Sequence, residues 1–235
     1  MQPECNVCGG RRFGDQRTRK DVRCLQCGSL ERTRVLQLVL FQNGLVRPGM
    51  RVLHLAPELG IARNVQKVAR DGYEACDLFP EKFRSLPVRK MNLVTDAEAL
   101  PSGRYDVVIH SHVMEHLPCD VTSVLFHLHR SLTPTGVHVF SVPMRVGHYE
   151  ANLGDMPEEE RIKRFGQNDH VRMFGARDIA VTLGMVFRLP AEYDLEAQFG
   201  ADVLDRFNIP KKVRKGFSSS SVFAVKKDDI RLRAG

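Results

Sequence analysis

Apolar and polar positions along the chain change between a helical and an extended period. Apolar residues recur at helical spacing over 29–44, 60–72 and 121–136, and a glycine closes each segment. Short apolar segments lie between and after these helices, and we predict strands within 51–57, 73–79, 90–101, 105–116 and 137–143. Strands that alternate with helices and carry no hairpin signal form a parallel sheet with helices on both of its faces.

Residues 143–175 interrupt this alternation. The segment is polar, contains four glycines and is longer than a plain connection in a compact domain. We therefore expect a lid, inserted over the functional site, that recognises substrate. Beyond it, 176–185 predicts a further helix, and 191–200 and 218–227 predict the last two strands. The whole pattern predicts an α/β fold, a doubly wound and mostly parallel Rossmann-like sheet over 35–235.

Four of the six cysteines form two Cys-x-x-Cys pairs, Cys5 with Cys8 and Cys24 with Cys27, and fifteen residues separate the pairs. Two such knuckles complete a tetrahedral Zn²⁺ site. Two disulfides are the alternative, but the chain shows no secretory segment to favour them. Four protein ligands leave no open position on the ion, so we expect a structural role. Residues 1–34 therefore predict a small zinc ribbon that depends on the metal for its stability.

Length and charge narrow the class of protein. The 235 residues suit one domain with a small appendage. No apolar run approaches the ~20 residues that span a bilayer, and the N-terminus lacks a hydrophobic signal segment, so we expect a cytoplasmic protein without membrane contact. The net charge of +7 divides into +4 over 1–34, −4 over 35–205 and +7 over 206–235. This distribution contains no continuous basic stripe of the kind that a nucleic-acid groove requires.

Acidic residues follow the predicted strands, where open α/β sheets bind their ligands. The first strand runs into Glu58, the second ends at Asp77 about twenty residues later, and the third leads to Asp96. A carboxylate at the second position accepts both hydroxyl protons of a ribose, and Asp96 could accept from an adenine amine. Glu58 would repel a pyrophosphate and attract an ammonium group. These charges favour S-adenosylmethionine (SAM) over a dinucleotide.

The segments "VLHLAPELG", "EACDLFP", "DAEALPSGRYDVVIHSHVMEHLP" and "LHRSLTPTGVHVFSVP" resemble successive motifs of class I SAM-dependent methyltransferases over residues 50–142. His54 stands where that family has an acidic residue, and Ala56 and Glu58 replace two of its glycines. The resemblance implies that Asp77 binds the ribose and that Asp96 and Ala97 contact the adenine. The implied cofactor-binding set is His54, Ala56, Pro57, Glu58, Gly60, Asp77, Leu78, Asp96, Ala97 and His112. "CGSLERTR" and "RFGQNDHVRMFG" further resemble a bacterial subgroup that carries a zinc ribbon.

Methyl transfer usually requires removal of one proton, a task suited to histidine at neutral pH. Glu115 and His116 follow the fourth strand as catalytic candidates, although this pair could instead shape the loop and pack on the cofactor. The three histidines of "HSHVMEH" match no known metal-ligand pattern. The segment "FGQNDHVR" places His170 as a candidate base with Asp169 as its orienting partner; a capped loop is the alternative. The substrate-binding candidates are His148, Gln167 and Arg172, the last as a partner for an anionic group.

The favoured function is methyl transfer from SAM to an oxygen or nitrogen of a small molecule or sugar. An RNA methyltransferase that uses the zinc ribbon to recognise ribosomal RNA is the alternative, since both ends of the chain are basic. The absence of Trp and the 7% aromatic content argue against it, because base stacking needs aromatic rings. A non-enzymatic zinc-ribbon protein with a degenerate fold is a third possibility.

Overall fold

The computed structural model describes residues 2–232, so the last residues of the basic C-terminal segment, 233–235, lie outside the described residues. The strands are β1 Phe13–Gln16, β2 Arg19–Cys24, β3 Val52–Leu55, β4 Tyr73–Asp77, β5 Arg89–Lys90, β6 Tyr105–Ser111, β7 Leu132–Ser141, β8 Met144–Arg145, β9 Glu150–Ala151, β10 Arg172–Gly175 and β11 Phe223–Lys226. The α-helices are α1 Glu31–Gln42, α2 Leu59–Ala69, α3 Leu93–Asp96, α4 Val121–Arg130, α5 Glu158–Phe165, α6 Leu183–Val186, α7 Leu195–Phe199 and α8 Ala201–Arg206. Within residues 2–232, none of these helices combines the length and apolar character that crossing a bilayer requires.

Six strands form the central sheet in the order β11-β7-β6-β3-β4-β5. All neighbouring pairs are parallel except β11, which runs antiparallel to β7. All four residues of β3 are buried, as a strand covered by helices on both faces requires. The α/β, doubly wound and mostly parallel fold expected from the sequence is confirmed.

Side chains that alternate along the strands divide the core between the two faces of the sheet. Val52, Val107 and Val139 pack with α1 and α2 on one face. Leu53 and Val108 pack with α4 on the other. The amphipathic helix α2 buries its residues at helical spacing, among them 61, 62, 65 and 69. Its placement matters for function, because α2 begins directly after the turn that follows β3.

Two of the predicted strands are wrong in extent or kind. Only Lys90, the last residue of β5, falls within the strand predicted over 90–101. Helix α3 follows it, because the Asn92 side chain accepts from the Val94 amide and caps that helix. Segment 191–200 forms α7, since the Asp194 side chain accepts from the Ala197 amide. The helix predicted over 176–185 is reduced to a short turn at Ile179–Val181 and to α6. The strand predicted within 218–227 is present as β11.

Residues 143–175 form a small folded unit. Strands β8, β10 and β9 make a three-stranded sheet in that order, and α5 lies between β9 and β10. The unit joins the body where the Val171 amide donates to the Glu115 carbonyl at 2.8 Å. It therefore attaches directly to the segment that follows β6.

The N-terminal segment packs against the main domain. Cys5, Val7 and Cys24 belong to the same buried cluster as α1 and α2. The buried Arg34 side chain of α1 donates to the carbonyls of Ser29, Phe207 and Asn208, and it thereby joins the end of the N-terminal segment to the segment after α8. The hairpin β1–β2 thus shares a core with the sheet domain.

Candidate functional site

A cavity of about 570 Å³ opens at the carboxyl ends of β3, β4, β5 and β6. Its lining comes from the residues that follow each of these strands, among them Ala56, Asp77, Asn92 and His112. The chain proceeds from β3 to β4 on one side and reaches β6 on the other, so the cavity lies at a topological switch point of the sheet. Its volume is that of a small-molecule site.

The turn after β3 takes a conformation that usually requires glycine. Ala56 has φ +47°, and its amide donates to the Cys76 carbonyl at 2.8 Å. Pro57 is buried behind it. Glu58 lies at the start of α2, outside the lining of the cavity, and its carboxylate accepts from the Ser111 hydroxyl at 3.0 Å. The carboxylate is therefore fixed beside the end of β6 rather than in open solvent.

Asp77 and Leu78, two of the residues predicted to bind the cofactor, lie in the lining of this cavity. One oxygen of the Asp77 carboxylate accepts from the Phe79 amide at 2.7 Å. The side chains of Leu78 and Phe79 stand 42% and 46% exposed beside it. This rim offers a carboxylate for hydroxyl groups together with apolar surface for a flat ring.

Several residues assigned to the cofactor lie elsewhere. Asp96 accepts from the Asn92 amide and the Thr95 hydroxyl, which lower the pKa of its carboxyl, and Ala97 is buried in the core. His54 is buried within the sheet, where desolvation lowers its pKa to about 3. A Cβ on Gly60 would lie 2.6 Å from a Val7 methyl group, so this glycine admits the N-terminal segment. Asn92, Leu93 and Val94 line the cavity where Asp96 and Ala97 were expected.

Four catalytic candidates meet beyond the end of β6, although they come from two distant segments. Ligand atoms of Glu115, His116 and His170 all lie within 4.8 Å of one another. Asp169 Oδ2 lies 3.2 Å from His116 Nδ1, so Asp169 orients His116 and not, as expected, His170. His110, the first histidine of the segment "HSHVMEH", is buried in the core against Phe140 and takes no part in this cluster.

His170 has one nitrogen fixed and the other free. Its Nδ1 lies 3.0 Å from the Phe165 carbonyl, which can only accept, so Nδ1 carries the proton. Its Nε2 is buried and has no hydrogen-bond partner within residues 2–232. Burial lowers the pKa of this histidine, which favours the neutral ring. The neutral tautomer leaves a lone pair on Nε2, the arrangement that a general base requires.

Glu115 is fully buried, and within residues 2–232 neither oxygen makes a hydrogen bond. His112 Nδ1 lies 3.2 Å from its Oε1, while His112 Nε2 faces the Ser219 carbonyl at 3.0 Å. A buried carboxylate without hydrogen bonds needs a compensating positive charge close to it.

Of the three predicted substrate-binding residues, only Gln167 shares a cavity with His170. His148 is exposed, and its backbone lies against Gly175. Arg172 lines a different recess but is 1% exposed, and its guanidinium donates to the carbonyls of Met114 and Cys119. Arg172 therefore holds the segment that carries Glu115 and His116 through Nη1 and Nη2, while its buried Nε has no hydrogen-bond partner within residues 2–232.

Gln167 belongs to a second cavity, of about 440 Å³, which shares His112 with the first and is also lined by His170. Basic side chains that the sequence analysis did not select contribute to it, namely Arg17, Arg19, Arg32 and Lys212. The basic composition of both chain ends was visible in the sequence, but it did not indicate that the two ends meet.

Asn92 was missed as well, because its amide lies four residues before the carboxylate that matches the family motif.

The four paired cysteines converge as the sequence predicted. Sγ of Cys5 lies 3.7 Å from that of Cys27, and Sγ of Cys8 lies 3.6 Å from that of Cys24. All four sulfur atoms lie within 4.8 Å of one another. A tetrahedral ion with bonds of ~2.3 Å to sulfur separates its ligands by ~3.8 Å. The cluster therefore fits one tetrahedral metal ion.

Comparisons with known proteins agree with this architecture. Residues 31–184 match a family described as a methyltransferase domain. A SAM-dependent methyltransferase from Archaeoglobus fulgidus superposes with a TM-score of 0.50 at 18% identity, covering 85% of this chain and 94% of that one. The 1,6-didemethyltoxoflavin-N1-methyltransferase of Burkholderia thailandensis gives a TM-score of 0.48 at 17% identity, covering 83% and 77%.

A protein from Galdieria sulphuraria, described as a sarcosine dimethylglycine methyltransferase, gives a TM-score of 0.39 at 18% identity over 57% of this chain. This chain covers 54% of the length of that protein. The sequence matches no curated protein. The family match spans well over half of the residues and includes every strand that surrounds the larger cavity. The chain therefore belongs to the methyltransferase domain family.

Proposed function

We propose that this methyltransferase acts on an oxygen or nitrogen of a small molecule or sugar. One observation carries the proposal: the cavity at the switch point and the second cavity meet at His112, and His170, whose Nε2 has no hydrogen-bond partner within residues 2–232, lines the second cavity. The first cavity is the proposed SAM site and the second the proposed acceptor site. Both volumes are those of small-molecule sites.

The residues of the first cavity fit the parts of SAM. The Asp77 carboxylate accepts from the ribose hydroxyls, and Asn92 with the apolar Leu93 and Val94 surrounds the adenine. Glu58 lies outside this lining, at the start of α2, and, held by the Ser111 hydroxyl at the end of β6, it supplies negative charge for the ammonium group. When bound, SAM supplies an electrophilic methyl group on its sulfonium.

His170 is the proposed general base. Its Nε2 accepts the proton of the acceptor's hydroxyl or amine while the acceptor oxygen or nitrogen bonds to the methyl carbon and the carbon–sulfur bond breaks. The Phe165 carbonyl holds the required tautomer at Nδ1. His116, oriented by Asp169, lies next to His170 with ring centroids 4.6 Å apart and provides a route for the proton toward solvent.

The four cysteines are the proposed ligands of a structural Zn²⁺, because four thiolates fill a tetrahedral site and leave no position for substrate. We propose residues 1–34 as the zinc ribbon, 35–235 as the catalytic domain, and 143–175 as its substrate lid. The hairpin β1–β2 carries Arg17 and Arg19 to the second cavity. This position also supports the alternative acceptor, an RNA held by the ribbon, but the volume of about 440 Å³ favours a small molecule.

Calorimetry with S-adenosylhomocysteine, the demethylated product, tests the cofactor site. We expect Asp77→Ala to weaken binding at least tenfold, since it removes charge-assisted hydrogen bonds to the ribose. Asp71→Ala is the matched control, because Asp71 is exposed and does not line the cavity. Equal affinity in the two variants, or no binding by the wild-type protein, would refute the proposed site.

A further inference from the structure

The second cavity has an unusual charge for its size. Four basic side chains line it, from Arg17, Arg19, Arg32 and Lys212, and the only carboxylate in its lining is Glu31. Glu31 is 1% exposed and already forms an ion pair with Arg19. Within residues 2–232, the remaining three cations have no carboxylate within ion-pair distance.

Arg32 provides a second and independent indication of a ligand. Its Nε is shielded from solvent and has no hydrogen-bond partner within residues 2–232. A guanidinium nitrogen can only donate, so a buried one without an acceptor is destabilising until an acceptor arrives. An oxyanion satisfies such a donor best, because the hydrogen bond is then charge-assisted on both sides.

The cations come from three separate parts of the chain. Arg17 lies in the turn of the β1–β2 hairpin, Arg32 at the start of α1, and Lys212 in the segment after α8. The cavity that they line also contains His170 and Gln167 of the lid. A surface that only improves solubility does not need cations from distant segments around one cavity beside a catalytic histidine.

We propose that the acceptor is a small molecule carrying an oxyanion, a phosphate or a carboxylate, which Arg17, Arg32 and Lys212 bind while its nucleophilic atom faces His170. The inference rests on the proposed function. It also assigns a role to the proposed zinc ribbon, because the β1–β2 hairpin supplies part of the acceptor site. Net positive charge around the cavity also attracts such an acceptor from solution.

Calorimetry on the zinc-loaded protein saturated with S-adenosylhomocysteine tests the inference, with inorganic phosphate and malonate as probes at constant ionic strength. We expect Lys212→Ala and Arg17→Ala each to weaken binding of the preferred probe about tenfold, the effect of losing one charge-assisted hydrogen bond. Both residues are exposed, so neither variant should compromise folding. Lys211→Ala is the matched control, because Lys211 is an exposed neighbour that does not line the cavity.

The preferred probe identifies the oxyanion. Equal affinities of the wild-type protein and all three variants would overturn the inference. So would tight binding of a 20-nucleotide RNA that Lys211→Ala and Lys212→Ala weaken alike, because the charges would then act as an open surface. The saturation step separates the two proposals: if S-adenosylhomocysteine does not bind, the proposed function fails, whereas normal saturation with unchanged probe affinities removes only the oxyanion site.

Discussion

Replacing Arg172 with methionine tests whether this residue stabilises the fold or binds the substrate. The guanidinium is buried and donates to the carbonyls of Met114 and Cys119, and it thus spans the segment that carries Glu115 and His116. Methionine fills much of the same volume but cannot donate. The variant therefore removes the charged donor from the buried Met114 carbonyl, which keeps only the Leu117 amide at 3.4 Å.

The magnitude follows from the burial of the two carbonyls. A hydrogen bond to a charged group contributes about 1.5–3 kcal/mol, and Met114, which accepts one of the two, is 0% exposed. Cys119 is half-buried, so water can replace part of its lost hydrogen bond. We expect Arg172→Met to lower the free energy of unfolding by about 3 kcal/mol, and Arg172→Lys by roughly half as much because one donor can be kept.

Urea unfolding followed by circular dichroism measures this change, with Arg177→Met as the control. Arg177 is exposed on the same part of the chain and makes no side-chain hydrogen bond within residues 2–232, so its replacement should change the unfolding free energy by less than about 0.5 kcal/mol. A stable Arg172→Met variant that loses only affinity for phosphate would refute the structural role and restore Arg172 as an anion-binding residue.

Three further predictions concern the reacting group and the metal. His170→Ala should lower kcat at least a hundredfold while S-adenosylhomocysteine affinity, measured by calorimetry, stays within twofold; equal loss of both would remove His170 as base. Because burial lowers the pKa of His170, the base form persists below the ordinary histidine value of about 6.5, so kcat/KM measured against pH should decline only below that value; a decline centred above 7 would contradict the assignment. Mass spectrometry should find one zinc per chain, lost in Cys8→Ser and kept in Cys119→Ser. A second equivalent that survives Cys8→Ser and disappears in Glu115→Gln would place a cation beside His170 and exclude it as base.

The sequence was sufficient where a local pattern determines the structure. Alternating segments predicted β3, β4, β6 and β7, and the spacing of the cysteine pairs predicted their cluster. Both signals can be read from residues that are close together in the sequence. Prediction from the sequence failed where a polar side chain could either bind a ligand or make hydrogen bonds within the protein. Asp96 matches a ligand-binding motif but caps its own turn, and Arg172 lies in a polar segment but faces backbone carbonyls. Asp96 is engaged by its neighbours Asn92 and Thr95, whereas the carbonyls that Arg172 contacts lie more than fifty residues away in the sequence.

The second cavity could not be predicted for a related reason: it exists only where the two basic ends of the chain meet. Arg34 makes this meeting possible, because its buried guanidinium joins Ser29 of the N-terminal segment to Phe207 and Asn208.

The contact between Val7 and Gly60 would couple the proposed zinc site to the proposed cofactor site. Val7 lies between two of the proposed ligands, Cys5 and Cys8, and packs where any side chain on Gly60 would stand. Gly60 belongs to the first turn of α2, directly after the loop that carries Glu58. Loss of the metal removes the constraint on Val7 and therefore the packing that fixes this turn. A protein without zinc should accordingly bind S-adenosylhomocysteine more weakly as well as lose its ribbon, and an unchanged affinity after chelation would show that α2 is held by the sheet alone.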